Sequence, residues 1–139
     1  MREIVRALDV RRLEAVSLFA DLDKRERARV AEVADELDVE AGRELASQGR
    51  FGYEFFAILD GQADVIQDGE RIRELGPGDF FGEIALLESD RRTASVVART
   101  PMTLLVMHRP QFRQLEREMP RIAERVREAI STRLGSAQE

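Results

Sequence analysis

Residues 81–96 combine residue types, in an order, that suit the binding of an anion. The segment reads FGEIALLESDRRTASV, with a glycine at Gly82 and helix-forming residues from Glu83 to Leu87. A short helix that begins there would direct unpaired backbone N–H groups, and the positive end of its dipole, towards the space before it. Helix starts of this kind bind phosphate and other anions. The segment therefore predicts an anion site.

Two polar side chains late in this segment suit a phosphate, and an earlier one suits a sugar. Arg92 lies nine residues after Glu83, at the entry to the next strand, where a guanidinium can fold back and bind two phosphate oxygens. Thr93 adds a hydroxyl donor. Glu83 would repel a bare phosphate, but its carboxylate can accept hydrogen bonds from hydroxyl groups. A ligand that joins a phosphate to a ribose meets both requirements.

The elements that must position these residues follow from the distribution of glycine. Eight of the nine glycines lie between Gly42 and Gly82, which separates a strand-and-turn middle from helical ends. Residues 1–37 contain no Gly or Pro and carry apolar residues at helical spacings, so they are predicted to form N-terminal helices. Asp23 followed by Glu26 predicts a capped helix over about 24–35.

The middle of the chain, residues 38–108, has the pattern of short strands joined by tight turns. Asp60-Gly61 and Asp68-Gly69 are turn pairs, because they supply the positive φ angles that hairpins need. The predicted strands are 55–59, 63–66, 72–75, 94–98 and 102–107. Evenly spaced short strands predict an antiparallel roll or barrel.

The C-terminal part, residues 109–134, returns to a helical period. One helix is predicted over 111–118 and a second over 121–134, with Pro120 in its first turn and Gly135 as its stop signal. The last residues, 135–139, are predicted to be a tail. The apolar stripe of the second helix either packs on its own domain or serves as a homodimer contact or a lid.

Composition excludes several classes of function. With 139 residues the chain is the size of one domain. It has no Cys and a single histidine, His108, so neither a thiolate nucleophile nor a Cys- or His-based metal centre is available, and no catalysis, metal or cofactor is expected. The net charge of -5 opposes non-specific binding to nucleic acid or membranes. Neither a signal peptide nor a membrane span is visible, so a cytoplasmic protein is expected.

These residues closely resemble the phosphate-binding cassette of the cyclic nucleotide-binding domain family. The resemblance covers roughly residues 13–134 and includes the runs LFADL at 18–22, FFAILDG at 55–61 and GPGDFFGE at 76–83. It implies a mainly β fold: an eight-stranded antiparallel β-roll of the jelly-roll type, with an N-terminal helical bundle and two C-terminal helices that move when nucleotide binds.

The resemblance also implies roles for single residues. Gly82 lets the sugar approach the backbone, and Glu83 accepts hydrogen bonds from the ribose 2′-hydroxyl. The N–H groups near Ile84 and Ala85 meet the cyclic phosphate, whose charge Arg92 neutralises. Thr93 binds the phosphate as well.

The preferred base is left open by the residue at position 93. Family members with Thr at this position can reach the guanine amino group of cyclic GMP, whereas many cAMP-preferring members have Ala. The ligand is therefore expected to be cAMP, with cyclic GMP as the alternative.

Two positions depart from the family pattern. Arg91 stands where the family often has Pro, and is expected to face solvent rather than to bind the phosphate. After Gln48-Gly49 the family frequently has Glu, whereas this chain has Arg50-Phe51-Gly52.

The expected function is a stand-alone cyclic-nucleotide sensor without catalysis, which passes its signal to an effector protein. Arg121, Ile122, Arg125 or Val126 is expected to cover the base. No direct DNA contact is expected, because only residues 135–139 follow the last helix. The alternatives are a degenerate roll that has kept only protein–protein contacts, and a fragment of a larger regulator.

Overall fold

A computed structural model describes residues 4–52, 54–82 and 90–137 of the chain, without the side chains of Ser17, Asp90 and residues 129–137. The strands are β1 (Ile4–Ala7), β2 (Asp35–Val39), β3 (Glu44–Ala46), β4 (Phe51–Gly52), β5 (Glu54–Asp60), β6 (Ala63–Gln67), β7 (Glu70–Leu75), β8 (Phe80–Phe81), β9 (Asp90–Arg91), β10 (Ser95–Ala98) and β11 (Met102–His108). The α-helices are α1 (Lys24–Val33), α2 (Arg109–Glu118) and α3 (Pro120–Ala137). Two 3-10 helices cover Val10–Ala15 and Ser17–Phe19.

All strand pairs within the described residues are antiparallel, and they form two larger sheets and a short ribbon. One sheet has the order β1-β2-β11-β5-β8, and the other has the order β3-β10-β6-β7. The ribbon consists of β4 and β9. The two larger sheets share one buried apolar cluster, so they face each other as the two walls of a roll.

The core has two parts, one on each face of the five-stranded sheet. The roll cluster lies between the sheets and consists of Leu37, Val39, Ala46, Phe56, Ile58, Ala63, Val65, Leu75, Phe81, Val96, Ala98, Met102, Leu104 and Val106. The helical cluster joins the buried residues of the 3-10 helices and of α1, α2 and α3 to Phe55, Ala57, Leu59, Phe80, Leu105 and Met107.

Strand β5 contributes to both clusters, because successive side chains in a strand point to opposite faces. Phe56 and Ile58 belong to the roll cluster, whereas Phe55, Ala57 and Leu59 belong to the helical cluster. A strand covered on both faces must be apolar at every position, which explains the unbroken run FFAIL.

A buried carboxylate joins the N-terminal segment to the five-stranded sheet. Glu36 on β2 is only 3% exposed, and its side chain lies 2.5 Å from Arg6 Nη2 and 3.5 Å from Arg12 Nη1. The backbone N–H of Asp9 donates a third contact, at 3.3 Å. Because an unpaired buried charge is costly, these partners fix β1 and the first 3-10 helix against β2.

The neighbouring Asp38 belongs to the same network. The side-chain hydrogen bond from Arg6 holds the pKa of the Asp38 carboxyl below its usual range, and the Thr103 hydroxyl donates to the same carboxylate at 2.8 Å. The charged form of Asp38 is therefore the one that the folded protein prefers.

Most of the predicted elements of the middle are confirmed. Strands β5, β6, β7, β10 and β11 coincide with the five predicted segments to within two residues at each end. Asp68 has φ 53° and Gly69 has φ 83°, as the predicted hairpin turn between β6 and β7 requires. The capping box is also confirmed, since the Asp23 carboxylate accepts from the Glu26 N–H at 2.8 Å and the Glu26 carboxylate accepts from the Asp23 N–H at 2.9 Å.

The predictions for the two ends of the chain are partly wrong. Helices are predicted over residues 1–37, but residues 4–7 form β1 and β2 begins at Asp35, inside that range. The β-branched Ile4 and Val5 pair with β2, where the Glu36 network holds them. Helix α3 continues through Gly135 to Ala137, because a glycine weakens a helix by about 1 kcal/mol without forcing it to end.

The strand count also differs from the eight that the resemblance implies, since the described residues contain eleven, three of which are only two residues long. The helix predicted from Glu83 to Leu87 lies outside the described residues. No helix in the described part of the chain is both long and apolar enough to span a membrane.

Candidate functional site

The ribbon of β4 and β9 positions Arg92. Phe51 pairs with Arg91 and Gly52 pairs with Asp90. The pairing continues past β9, because the Arg92 N–H donates to the Arg50 carbonyl at 2.8 Å and the Gly49 N–H donates to the Arg92 carbonyl at 2.9 Å. Both backbone polar groups of Arg92 are thus held by the opposite strand.

The guanidinium of Arg92 lies in a slot that two glycines leave open. A Cβ atom on Gly52 would lie 2.6 Å from Arg92 Nη2 and closer still to Nε and Cζ. A Cβ atom on Gly82 would lie 2.6 Å from both Arg92 Nη1 and the Glu54 carbonyl oxygen, and Gly82 also has φ +77°. Only glycine therefore allows the guanidinium this position at either site.

A backbone carbonyl fixes the direction of the guanidinium. Arg92 Nη2 donates to the carbonyl oxygen of Glu54, the first residue of β5, at 2.7 Å, and the side chain is partly buried. In such a setting a charge interacts more strongly with an opposite charge than it does in water. The site holds a preorganised cation that can pair with an anion through two parallel N–H bonds.

Strand β8 sets the position of Gly82. Phe81 pairs with Phe56 of β5, and their rings stack with centroids 4.9 Å apart. Phe80 lies against Phe55 on the other face, with centroids 5.8 Å apart. Both β8 phenylalanines are buried, and they hold the residue after them beside β5.

Thr93 follows Arg92 on the surface of the roll. Its side chain is exposed, and its carbonyl accepts a hydrogen bond from Gln67 Nε2 at 3.1 Å. The structure thus anchors the backbone of Thr93 to β6 while its side chain stays accessible.

Gln48 anchors the strand that follows Thr93 to the β6–β7 turn. Its backbone N–H donates to the Ser95 hydroxyl at 2.9 Å. Its side-chain amide exchanges two hydrogen bonds with Asp68, one from Gln48 Nε2 to the carboxylate at 2.8 Å and one from the Asp68 N–H at 2.9 Å. The Ser95 hydroxyl therefore has a structural role.

Of the predicted ligand-binding residues, the structure brings Gly82 and Arg92 together. Thr93 follows Arg92 directly in the sequence. Glu83, Ile84 and Ala85 lie outside the described residues, so their roles stay predictions. Gly52 and the Glu54 carbonyl are parts of the site that the sequence did not predict. The spacing of Gly52 from Gln48-Gly49 could have indicated Gly52 as part of the site. The Glu54 carbonyl could not be predicted, because every residue has a backbone carbonyl.

The four residues predicted to cover the base, Arg121, Ile122, Arg125 and Val126, all lie on α3. Ile122 and Val126 are 0% and 2% exposed in the helical cluster, on the opposite face of the five-stranded sheet from the roll interior. Arg125 Nη1 donates to the Asp21 carbonyl at 2.7 Å, and Arg121 is exposed. In this conformation, Ile122 and Val126 pack on the helices, and covering a base would require α3 to move.

Arg91, the neighbour of Arg92, is exposed, as predicted. Its guanidinium carbon lies 4.6 Å from the centroid of the Phe51 ring, and its Nη1 donates to the Gly49 carbonyl at 2.7 Å. Within the described residues, no three His, Cys, Asp or Glu side chains are grouped so that they could hold a metal ion.

Comparison with known proteins identifies the class to which this fold and site belong. The family model described as "Cyclic nucleotide-binding domain" matches residues 36–118, which is more than half of the chain. The match contains β2 to α2, and with them Gly52, Gly82 and Arg92. The chain belongs to the cyclic nucleotide-binding domain family.

Particular relatives include regulators from distant organisms. The chain is 36% identical over 104 residues to the cAMP-dependent protein kinase regulatory subunit of Schizosaccharomyces pombe, covering 74% of this chain and 25% of that protein. The chain thus spans about a quarter of that relative's length. The catabolite activator protein of Thermus thermophilus superimposes with a TM-score of 0.77 at 27% identity, over 87% of this chain and 59% of that one. The cAMP-bound structure of PfPKA-R does so with a TM-score of 0.71 at 28% identity, over 93% and 46%.

Replacing Gly52 by Ala should weaken cyclic-nucleotide binding while leaving the fold intact. The added Cβ would overlap the Arg92 guanidinium, which must then leave its slot. We expect the affinity for cyclic nucleotide, measured by titration calorimetry, to fall by at least about tenfold, the scale of a lost hydrogen bond to a charged group. Gly76→Ala is the matched control, because a Cβ there has no neighbour within 4 Å. Equal affinities for the two variants would show that the slot is not needed.

Proposed function

We propose that the chain is a non-catalytic sensor in which Arg92 binds the phosphate of a cyclic nucleotide. The observation that carries the proposal is the slot between Gly52 and Gly82, where Arg92 donates to the Glu54 carbonyl. Because the arginine is already oriented, little side-chain entropy is lost when the ligand arrives. The guanidinium then offers a planar pair of N–H donors to the phosphate.

The rest of the nucleotide meets the residues that follow Gly82. In this proposal Glu83 accepts hydrogen bonds from the ribose 2′-hydroxyl, and the N–H groups of Ile84 and Ala85 bind the phosphate oxygens at the start of the helix that the sequence predicts from Glu83 to Leu87. In this arrangement Glu83 recognises the sugar and Arg92 recognises the phosphate. Neither role includes bond breaking, so the ligand leaves unchanged.

The proposed ligand is cAMP, with cyclic GMP as the alternative. The yeast relative is a cAMP-dependent protein kinase regulatory subunit, and the PfPKA-R structure is cAMP-bound. Thr93 keeps cyclic GMP open, because its exposed hydroxyl can bond a guanine amino group placed beside the phosphate. Adenine carries a hydrogen at C2, where guanine carries this amino group, so it cannot form that bond.

Helix α3 is the proposed output of the sensor. It is docked by Ile122 and Val126 in the helical cluster and by the hydrogen bond from Arg125 to Asp21. Nucleotide binding shifts α3 from this docked position towards the base, to the extent that the ligand binds the shifted state more tightly. Arg121, Ile122, Arg125 or Val126 then covers the base.

The signal is proposed to pass to an effector protein. Two of the relatives are longer than the chain, which covers 25% of the yeast kinase subunit and 59% of the Thermus activator. The domain acts as a cytoplasmic stand-alone module or as the sensor part of a larger regulator. A homodimer through α3 is the alternative means of output.

Titration with cAMP and cyclic GMP tests the central proposal. The wild-type chain should bind at least one of them, and Arg92→Ala should lower that affinity by about 10- to 150-fold, the equivalent of about 1.5–3 kcal/mol. Arg113→Ala, at an exposed position on α2, is the control and should bind like the wild type. Absence of heat with both nucleotides at millimolar concentration would contradict the proposal and favour a module that has kept only protein–protein contacts.

Thr93→Ala separates the two nucleotides. Removing the hydroxyl should weaken cyclic GMP binding by about 5- to 10-fold, the value of one net hydrogen bond, and should change cAMP binding less. The ratio of the two dissociation constants is therefore the quantity to measure. A ratio that stays the same would show that the Thr93 hydroxyl does not contact the base.

Arg125→Ala tests the movement of α3. Losing the bond to the Asp21 carbonyl weakens the docked position, so a larger fraction of molecules should have α3 ready to cover the base. We expect a cAMP affinity about two- to fivefold higher than that of the wild type. The exposed neighbour Glu124→Ala is the control. A lower affinity would instead identify Arg125 as the residue that touches the nucleotide after α3 has moved from its docked position.

A further inference from the structure

The ribbon that carries Arg92 is too short to be stable through its own backbone pairing. Each of its strands, β4 and β9, is two residues long. Two-stranded ribbons are marginal even when they are longer. A side-chain contact across the ribbon would therefore add to the backbone hydrogen bonds that Arg92 makes with Arg50 and Gly49, and would help to keep Arg92 in place before a ligand arrives.

That contact is the stack of Phe51 and Arg91. The two residues are direct cross-strand partners, and the Arg91 guanidinium carbon lies 4.6 Å from the Phe51 ring centroid. Both side chains are exposed, with Phe51 at 50%. An arginine can stack on an aromatic ring in water because its guanidinium is planar and weakly hydrated.

The same guanidinium also reaches the backbone ladder of Arg92. Arg91 Nη1 donates to the Gly49 carbonyl at 2.7 Å, and the Gly49 N–H donates to the Arg92 carbonyl at 2.9 Å. One side chain thus covers a ring on β4 and holds the residue that bonds the backbone of Arg92. Gly49 has φ +83° and lies in the turn before β4.

Arg91 and Arg92 lie on opposite faces of the ribbon, since neighbouring residues in a strand alternate. The Arg92 side chain lies in the slot of Gly52 and Gly82, whereas Arg91 lies over Phe51 on the outer face. Arg91 is thus placed to hold the ribbon and not to bind the same phosphate.

We propose that Phe51 and Arg91 form a positioning pair that clamps the ribbon and so keeps the Arg92 guanidinium in its slot. The proposal rests on the proposed function, in which Arg92 binds the phosphate. The two residues of this pair lie at the two places where the chain departs from the family pattern. Arg91 stands where Pro is frequent, and Phe51 lies in the run Arg50-Phe51-Gly52 after Gly49. A lysine at position 91 would keep the charge but could not both cover the ring and form the planar contact to Gly49.

Four variants test the pair against a purely electrostatic role of Arg91. Phe51→Ala removes the ring, and Arg91→Lys keeps the positive charge while removing the planar group. Phe51→Trp keeps a larger ring and serves as the rescue, because Trp is the best cation–π partner. Ile72→Ala is the control for loss of an exposed apolar side chain, since Ile72 is 54% exposed on β7.

Two measurements are made on each variant: the cAMP affinity by calorimetry and the amide hydrogen exchange of Gly49 and Arg92. Phe51→Ala and Arg91→Lys should each lower the affinity by about two- to fivefold and speed the exchange of both amides by a similar factor, the value of an exposed cation–π contact. Phe51→Trp and Ile72→Ala should resemble the wild type in both. The melting temperature should stay within a few degrees in all four, because the side chains are exposed.

The outcomes separate this proposal from the proposed function. An Arg91→Lys variant with wild-type affinity and exchange would overturn the clamp, because it would leave charge alone as the contribution of Arg91. Additive effects in the double variant Phe51→Ala and Arg91→Lys would overturn it as well, since residues that act as a pair must be coupled. If the wild type bound neither cyclic nucleotide, the proposed function would fail, and the amide exchange of Gly49 and Arg92 would still decide whether the pair clamps the ribbon.

Discussion

The partly buried guanidinium of Arg92 is the interaction on which the site depends. The Arg92 backbone is held by hydrogen bonds to Arg50 and Gly49. Its guanidinium donates to the Glu54 carbonyl and occupies the space that two glycines leave open. Three separate segments of the chain, at β4, at the end of β8 and after β9, must meet for this to occur. The roll is the scaffold that brings them together, and a cation held in this way needs little rearrangement when it meets an anion.

Strand β5 connects this cation to the helices. Its first residue supplies the carbonyl that Arg92 binds, and its next five residues alternate between the roll cluster and the helical cluster. A shift of the Glu54 carbonyl would therefore also move Phe55, the next residue, which packs with the helices. In the proposed sensor, this connection would let a small movement at the site favour a different position of α3, because packed cores have a few discrete arrangements and do not deform continuously.

The sequence is most informative where local chemistry decides the structure. Turn pairs such as Asp68-Gly69, the Asp23 capping box and the apolar runs of the strands each predict an element that the structure confirms. Gly82 and Arg92 are predictable as one site because both residue types suit a phosphate and lie within a single short segment. The remaining features depend on distant contacts: β1 needs β2 and the buried Glu36, and the Glu54 carbonyl has no side-chain signal. Gly135 lies within α3 because glycine sets a local cost and does not dictate where a helix ends.

The buried Glu36 also limits the order in which the sequence of this domain can change. Arg6 and Arg12 still reach solvent, with 42% and 34% of their side chains exposed, whereas the Glu36 side chain is 4% exposed. Without Glu36, Arg6 and Arg12 would still reach solvent and pair with Asp38 and Asp60. Without both arginines, Glu36 would stay buried with only the Asp9 N–H as its donor. Replacing this network with apolar residues would therefore cost less stability if the glutamate were substituted before the two arginines.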